Sequence, residues 1–397
     1  MPHIEIHQEI AAGKQQELAA LCPFGAIEFS DGKLSISAAC KMCRLCIKKG
    51  NGVFEFVEDS LPGIDKSQWK GLAVVAEIEE GEIHPVTFEL LGKAKELAAK
   101  VNFPVYCLMI GSGIDNAGTI LDYGADEVFV YDQEELKYFR IEPYAAAVED
   151  FINKVHPSSV LVGGTPAGRS LAPRVAARFR TGLTADCTKL DISENTDLDQ
   201  IRPAYGGNIM AHINTPRHRP QFATVRYKIF SIPEKKPDHT GKKIHSCILP
   251  AESLKSGIEI TKTQWKSQEK GIEEAEVLVV AGRGVKKAED IAMLQELADL
   301  LGGKVASTRA VVEAGWVDAK CQIGLSGRTV KPKLLITCGV SGAIQFVAGM
   351  NSSEKIIAIN TDENAPIFNV AHIGLKGDLY KIVPELIRQI KESRGEA

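Results

Sequence analysis

The stretch Val277-Leu-Val-Val-Ala-Gly-Arg-Gly284 decides the fold, because five apolar residues run directly into two closely spaced glycines. A short apolar run that ends in glycine is typical of a buried β-strand followed by a tight turn. Two further apolar runs stand at residues 334–337 and 356–359, and residues 288–301 carry apolar side chains at helical spacing. This alternation predicts a parallel sheet covered by helices over residues 266–397.

The same alternation extends toward the N-terminus. Strand-like runs occupy residues 72–76, 105–110, 127–131 and 159–162, and helical spacing between the first two is carried by Phe88, Leu91, Ala94 and Leu97. Prolines and lysines interrupt the pattern between residues 190 and 268, which predicts extra strands and then a linker. We therefore expect a second parallel α/β unit over residues 66–265.

The first 65 residues have a different character. They hold four of the nine cysteines, and two short alternating runs flank Ser30-Asp31-Gly32, which is a hairpin signal. We expect a small α+β domain here. The predicted fold class is thus α/β, with two Rossmann-like parallel-sheet units preceded by this domain.

Composition limits the possible functions. The chain of 397 residues is 44% hydrophobic and 25% charged, which is typical of folded proteins. Lys and Arg (47) nearly balance Asp and Glu (51), so no nucleic-acid partner is expected. No apolar run approaches the roughly 18 residues of a membrane helix, and the first residues lack an export-signal pattern. We expect a cytoplasmic protein with no membrane partner.

The cysteines form the first candidate site. Cys40-Lys-Met-Cys43-Arg-Leu-Cys46 is a C-x2-C-x2-C motif, and Cys22 is followed by proline. This spacing lets consecutive thiolates surround one compact inorganic core, so we expect one [4Fe-4S] cluster held by Cys22, Cys40, Cys43 and Cys46. A second cluster set is incomplete in this sequence. A structural zinc site is the alternative, although such sites usually combine two separated cysteine pairs.

Three loops rich in glycine and serine form the second candidate site. Gly282-Arg-Gly284 lacks the third glycine of the dinucleotide fingerprint, because Lys287 stands there. Residues 322–329 and 339–345 supply two more such loops, and Arg309 can add a charge-assisted contact. Loops of this kind at strand ends bring backbone N–H groups close to phosphate oxygens, which favours a bound dinucleotide.

These motifs together resemble a known family. Gly282-Arg-Gly284, Ser307-Thr-Arg-Ala310 and Ser341-Gly-Ala-Ile-Gln345, with Arg202-Pro-Ala-Tyr-Gly-Gly-Asn208 upstream, resemble the electron-transfer flavoprotein alpha subunit over about residues 68–395. Residues 1–60 resemble a bacterial two-cluster ferredoxin that kept one [4Fe-4S] centre. The resemblance implies three domains: a ferredoxin-like domain (1–65), an α/β domain that packs with a beta subunit (66–265) and an FAD-binding domain (266–397).

The resemblance also implies where FAD binds. The positions that match the family's motifs for the phosphates and ribityl chain are Arg283, Thr308, Arg309, Ser341, Gly342, Ala343, Ile344 and Gln345. Those that match the motif for the isoalloxazine are Ile323, Gly324, Leu325 and Ser326. The adenosine half would lie near Asn360 and Asp378. Arg309 would stabilise anionic forms of the flavin. Phe346 stands where the family often has histidine, which would leave a hydrogen-bond donor toward the flavin missing. No side chain is expected to perform bond chemistry.

The function implied is that of an electron-transfer subunit with two cofactors, FAD and one [4Fe-4S] cluster. Its expected partners are a beta subunit with a second FAD and an NADH site, an acyl-CoA dehydrogenase or reductase flavoprotein, and ferredoxin. Among family members, the layout most resembles electron-bifurcating caffeyl-CoA reductase complexes of acetogens, in which NADH reduces caffeyl-CoA or a similar enoyl-CoA and also ferredoxin.

Other functions stay open at this point. The electron-transfer subunit of a bifurcating lactate dehydrogenase complex is the nearest alternative. A stand-alone flavin and iron–sulfur oxidoreductase would need an acid, base or nucleophile beside the flavin, and the sequence offers no motif for one. A scaffold whose cysteines hold zinc is the third possibility. The terminal acceptor, the reduction potentials, the stoichiometry and the extent of domain motion do not follow from the sequence.

Overall fold

A computed structural model describes residues 3–37, 39–57, 64–79, 81–204, 209–263 and 271–395. The chain divides into two compact units, Met1–Ile64 and Asp65–Ala397. Two sequence features fall outside the described residues, namely positions 205–208 of the Arg202 motif and the predicted boundary at 265/266. The division into three domains stays a prediction.

The first unit is a small α+β structure. Its elements are β1 (His3–Ile6), α1 (Gln15–Ala19), β2 (Ile27–Ser30), β3 (Lys33–Ile36), α2 (Leu45–Lys49) and β4 (Phe54–Val57). Strand β1 pairs antiparallel with β4, and β2 pairs antiparallel with β3. Asp31 (φ 50°) and Gly32 (φ 76°) form the β2–β3 turn, and two positive φ angles are what a tight hairpin requires. The hairpin expected from Ser30-Asp31-Gly32 is confirmed.

The second unit begins with a large sheet. Its strands and helices are β5 (Leu72–Val75), β6 (Ile78–Glu79), β7 (Glu82–Ile83), α3 (Pro85–Val101), β8 (Val105–Gly111), α4 (Ala117–Asp122), β9 (Glu127–Asp132), α5 (Ile141–Val155), β10 (Ser159–Gly163), α6 (Pro166–Arg178), β11 (Leu183–Cys187), β12 (Lys189–Ile192), β13 (Leu198–Ala204), β14 (Ile209–Ile213), β15 (Gln221–Val225) and β16 (Lys243–Cys247). Seven strands form a parallel sheet in the order β11-β15-β10-β5-β8-β9-β16. Strands β12 to β14 form a separate antiparallel sheet, which accounts for the interrupted pattern after residue 190.

Helices cover both faces of this sheet. Alternate residues of β5 point to opposite sides: Leu72 and Val74 belong to one core cluster with α3, and Ala73 and Val75 to another with α5 and α6. All four residues are buried. A strand buried on both faces reads as a continuous apolar run, which is why the sequence revealed it.

The remainder of the second unit holds a five-stranded parallel sheet. Its elements are β17 (Val277–Ala281), α7 (Ile291–Leu300), β18 (Lys304–Ser307), α8 (Arg309–Glu313), β19 (Leu334–Cys338), α9 (Ile344–Val347), β20 (Lys355–Asn360), β21 (Ile373–Lys376) and α10 (Leu379–Arg394). The strand order is β18-β17-β19-β20-β21. The chain therefore reverses direction across the sheet between β17 and β19, and ligands of such sheets bind outside the carboxyl ends of the strands at this switch point.

The two parallel sheets confirm the predicted α/β class. Among the described residues, no helix is both long enough and apolar enough to cross a membrane.

Candidate cofactor sites

The loops after β17 and β19 meet at the switch point. The N–H of Gly282 donates to the Cys338 carbonyl (2.9 Å), and the N–H of Gly284 donates to the Gly339 carbonyl (2.9 Å). A Cβ on Gly282 would lie 2.3 Å from the Gly339 oxygen, so only glycine fits. The two loops thus meet through their backbones at the carboxyl ends of the strands, the edge where parallel α/β sheets bind ligands.

The end of β18 supplies two free hydroxyls. The N–H of Thr308 donates to the Ala281 carbonyl (3.0 Å), which joins this loop to the β17 loop. Ser307 Oγ and Thr308 Oγ1 are both buried, and neither has a hydrogen-bond partner in the described residues. Buried hydroxyls are normally paired, so two orphans at a switch point fit a polar ligand such as FAD.

Residues 323–326, which we name the cofactor turn, lie against the same edge. The N–H of Ile323 donates to the Ser307 carbonyl (2.9 Å), and that of Leu325 to the Gln345 carbonyl (2.9 Å). Gly324 has a φ of +134°, a conformation that other residues rarely adopt. Gln322 Nε2 donates to Ser326 Oγ (2.8 Å). These bonds join the turn to the loops that follow β18 and β19.

The segment that follows β19 is also packed closely against neighbouring backbone. Gly342 has a φ of +86°, and a Cβ there would lie 2.2 Å from the Ile367 nitrogen. Ser341, Ala343, Ile344 and Gln345 are exposed, so this side of the segment is open to a ligand.

Phe346 belongs to the hydrophobic core of this sheet and is only 6% exposed. The phenyl ring therefore fills core volume at the position where the family often has histidine.

The two positions expected at the adenosine half also join this edge. Asn360, at the end of β20, donates through Nδ2 to the Val340 carbonyl (2.8 Å). Gly377 N–H donates to the Asn360 carbonyl (2.9 Å), and the next residue, Asp378, caps α10 by accepting from the Tyr380 N–H (3.0 Å). A continuous set of hydrogen bonds thus links the ends of β17, β18, β19, β20 and β21.

The two expected arginines differ in their contacts. Arg283 is exposed and makes no hydrogen bond or ion pair within the described part of the chain. The guanidinium of Arg309 donates through Nε to Glu313 (2.8 Å), and 68% of the Arg309 side chain is exposed. Of these two arginines, Arg283 is the one whose side chain is free, within the described residues, to meet an anionic ligand.

The four cysteines expected to hold a cluster line one cavity in the first unit. Cys22, Cys40, Cys43 and Cys46 all contribute to its wall. Cys46 is buried, Cys22 and Cys40 are half-buried and Cys43 is exposed. The structure thus brings all four predicted ligands together around one space.

Backbone N–H groups point at two of these sulfurs. Ala26 N–H donates to Cys22 Sγ (3.3 Å) and Met42 N–H to Cys40 Sγ (3.4 Å). Burial raises the pKa of the Cys22 thiol, but backbone N–H groups outweigh it and lower the pKa below its usual range. A thiolate is the form that binds metal, so this environment favours that form of Cys22, whereas burial raises the pKa of the Cys46 thiol.

The side chains do not form a site for a single ion. Across the described ranges, no group of three or more His, Cys, Asp or Glu residues has the arrangement to hold one metal ion. In a [4Fe-4S] cluster each cysteine binds a different iron, so its ligands surround a larger space than those of one tetrahedral zinc.

Two residues of the switch-point edge were not among the predicted ligands. Ser307 is one of the orphan hydroxyls, although it begins the motif Ser307-Thr-Arg-Ala310, and Arg226, from the loop after β15, donates to the Leu325 carbonyl (2.6 Å). Arg226 stands in no recognisable motif, and its role depends on a contact between segments far apart in the chain.

The fold and the switch-point edge together define a nucleotide-cofactor-binding α/β protein. Residues 72–244 match the family model of the electron transfer flavoprotein domain, and residues 271–351 match the electron transfer flavoprotein FAD-binding domain. The chain belongs to the electron transfer flavoprotein family, and it is an alpha subunit of that family. The expectation of FAD is confirmed.

Three relatives support this membership. The chain is 56% identical to the lactate dehydrogenase (NAD(+),ferredoxin) subunit LctC of Acetobacterium woodii, with 95% of this chain and 90% of that protein covered. It is 44% identical to the electron transfer flavoprotein subunit alpha of Clostridium acetobutylicum (84% and 100% covered). It is 38% identical to the acryloyl-CoA reductase electron transfer subunit beta of Anaerotignum propionicum (83% and 98% covered).

These relatives differ in how much of this chain their similarity covers. The match to the Clostridium protein spans that whole protein but leaves 16% of this chain uncovered, about the size of Met1–Ile64. The match to LctC leaves only 5% uncovered, which is less than that unit. The similarity to LctC therefore extends into the cysteine-bearing unit.

Proposed function

We propose that this chain is the alpha electron-transfer subunit of an NAD- and ferredoxin-linked lactate dehydrogenase complex, with FAD at the switch-point edge and one [4Fe-4S] cluster in the cysteine cavity. FAD accepts one or two electrons and the cluster one, so the pair supplies an electron relay when bound. The chain itself binds, positions and insulates the two groups. It would carry no substrate site of its own.

The observation that carries this proposal is the convergence of Cys22, Cys40, Cys43 and Cys46 on one cavity. Under this proposal the cavity gives a flavoprotein subunit a second redox group, and LctC is a relative whose similarity reaches the cysteine-bearing unit. The name of LctC includes ferredoxin, which supports a route from the cysteine cavity to an external ferredoxin. Lactate thereby replaces the enoyl-CoA expected from the sequence as the favoured substrate of the complex.

Within this proposal the three predicted domains have separate roles. Residues 1–65 form the ferredoxin-like domain, residues 66–265 pack with a beta subunit that carries a second FAD and the NADH site, and residues 266–397 bind FAD. On the flavin side, Arg283 supplies positive charge, and Ser307 and Thr308 supply hydroxyl donors to the phosphates and ribityl chain. The exposed backbone at residues 341–345 approaches the same groups.

The test replaces one cavity cysteine in the assembled complex. C43A removes the exposed ligand, and C247A is the matched control, because Cys247 is a half-buried cysteine on β16 outside the cavity. We expect C43A to lose most of its iron and acid-labile sulfide, keep its FAD and lose lactate-linked exchange of electrons with ferredoxin. C247A should keep all three properties. Undiminished ferredoxin reactivity in C43A, or zinc in place of iron, would refute the proposal.

An acyl-CoA reductase complex is the second candidate, because the acryloyl-CoA reductase subunit is 38% identical to this chain. The two candidates differ in the dehydrogenase bound. Purification of the complex under native conditions, followed by assays with lactate and NAD+ or with an enoyl-CoA and NADH, separates them. Activity with the enoyl-CoA alone would favour the second candidate.

A further inference from the structure

Arg226 joins the two α/β parts of the second unit. It follows β15 directly, and its backbone is held beside the loop after β10, because the Gly164 N–H donates to the Val225 carbonyl (2.6 Å). Its side chain, 17% exposed, leaves the first sheet and reaches the cofactor turn of the second. A side chain anchored on a buried strand is a rigid support for a loop.

The guanidinium of Arg226 has three partners, of which the Gly324 carbonyl, 3.5 Å from Nη1, is the most distant. Its Nη2 atom donates to Asp186 Oδ2 (2.8 Å) and to the Leu325 carbonyl (2.6 Å). Burial raises the pKa of Asp186, but the hydrogen bonds and charges of Arg226 and Arg169 outweigh it and lower the pKa below its usual range. Asp186 is therefore a fixed anion that orients the Arg226 cation toward the turn.

The peptide group whose carbonyl Arg226 holds has an N–H group that is unpaired in the described part of the chain. The Leu325 carbonyl and the Ser326 N–H belong to one peptide group, and the Ser326 N–H makes no hydrogen bond within the described residues. Ser326 is exposed, so this N–H is accessible. A cation at the carbonyl end of a peptide polarises the group and strengthens its N–H as a donor.

We propose that Arg226 is a positioning residue for the flavin site: it holds the Leu325 carbonyl and thereby fixes the Ser326 N–H as a donor that stabilises negative charge on the reduced cofactor. The inference rests on the proposed function, since it concerns the turn assigned to the isoalloxazine. Arg226 itself makes no contact with the cofactor in this account. It acts through the Leu325–Ser326 peptide.

The experiment measures how strongly the bound flavin holds added electrons. The full chain loaded with FAD is equilibrated without oxygen against a redox dye of known potential, and the ratio of reduced to oxidised flavin is read from visible absorption. R226Q removes the charge and the clamp. K331Q is the matched control, because Lys331 Nζ bonds Ser231 Oγ (3.1 Å) at the same contact between the two α/β parts but does not touch the turn.

We expect the ratio of reduced to oxidised flavin to fall roughly three- to tenfold in R226Q, as for the loss of one ordinary hydrogen bond. K331Q should match the wild type. D186N keeps an amide oxygen that can accept from Nη2 and orient the guanidinium, but it removes the neutralising negative charge, so its ratio should rise. A merely structural role for Arg226 would lower thermal stability and leave these ratios unchanged.

Two results separate this inference from the proposed function. If the wild-type chain takes up no FAD, both fail. If it takes up FAD and R226Q has the wild-type ratio, only the role of Arg226 is overturned. Should R226Q fail to fold, D186N decides, because an unchanged or lowered ratio in D186N contradicts the assignment.

Discussion

Replacing Gly342 with alanine is expected to damage the flavin site by a predictable amount. Gly342 has a φ of +86°, and its added Cβ would lie 2.2 Å from the Ile367 nitrogen. A left-handed residue with a side chain costs roughly 1–2 kcal/mol. Nonbonded atoms prefer separations of about 3.5 Å, so the backbone must also shift by more than about 1 Å.

Gly302 provides the matched control. It has a φ of +66° and no atom within 4 Å of an added Cβ, so G302A carries the backbone cost without the collision. We expect G302A to lose about 1–2 kcal/mol of unfolding free energy and to bind FAD normally. G342A should lose about 1–3 kcal/mol more, as forced overpacking does. Its dissociation constant for FAD should rise at least about tenfold, or about 1.4 kcal/mol.

Two assays check this prediction. Urea unfolding of both variants gives the free energies, and titration of the flavin-free chain with FAD, followed by flavin fluorescence, gives the dissociation constants. Equal stability losses in the two variants together with wild-type FAD affinity in G342A would refute the claim that close backbone packing after β19 shapes the flavin site.

Three further predictions concern charged residues. R283Q should change the unfolding free energy by less than about 0.5 kcal/mol, because Arg283 is exposed and unpaired within the described ranges, yet weaken FAD binding several-fold in the same titration. Burial raises the pKa of Glu89 to about 7. The unfolding free energy of the wild type should therefore fall as the pH rises from about 4.5 to 7, because in this range only the unfolded chain has lost this proton. Urea unfolding at several pH values should show a weaker pH dependence of this free energy in E89Q. R219M removes one of the two cations on the buried Asp197 carboxylate, since Lys66 Nζ also lies 2.7 Å from it, and should cost about 1.5–3 kcal/mol; R219M/K66M leaves the carboxylate with neither cation and should cost more, so equal losses in both proteins would contradict this.

Much of the fold follows from the sequence because its central strands are buried on both faces. Residues 72–76 and 277–281 read as apolar runs, and the structure has β5 and β17 there. Strand β16 is different, since it follows the interrupted segment and joins the sheet beside β9. Three of the five residues of β16 are exposed. The sequence of this strand carries no signal of which strand it will pair with.

The candidate sites also combine features that the sequence predicts with features that it does not. Cysteine spacing is a local property of the chain, and the four predicted cysteines do line one cavity. Arg226 could not be predicted, because its contact joins segments distant in sequence, and the burial of the unpaired Ser307 hydroxyl is a property of the folded chain alone. The substrate of the complex was also beyond the sequence, since the dehydrogenase that selects it is another polypeptide. The enoyl-CoA expectation therefore rested on layout alone, and the relative at 56% identity favours lactate.

The central claim is that one chain holds both an iron–sulfur cluster and a flavin. Metal, acid-labile sulfide and flavin analysis of the full chain, purified without oxygen, tests it most directly. The account predicts FAD together with about four irons and four sulfides per chain, as one [4Fe-4S] cluster requires. Flavin without iron, or zinc in place of iron, would contradict it.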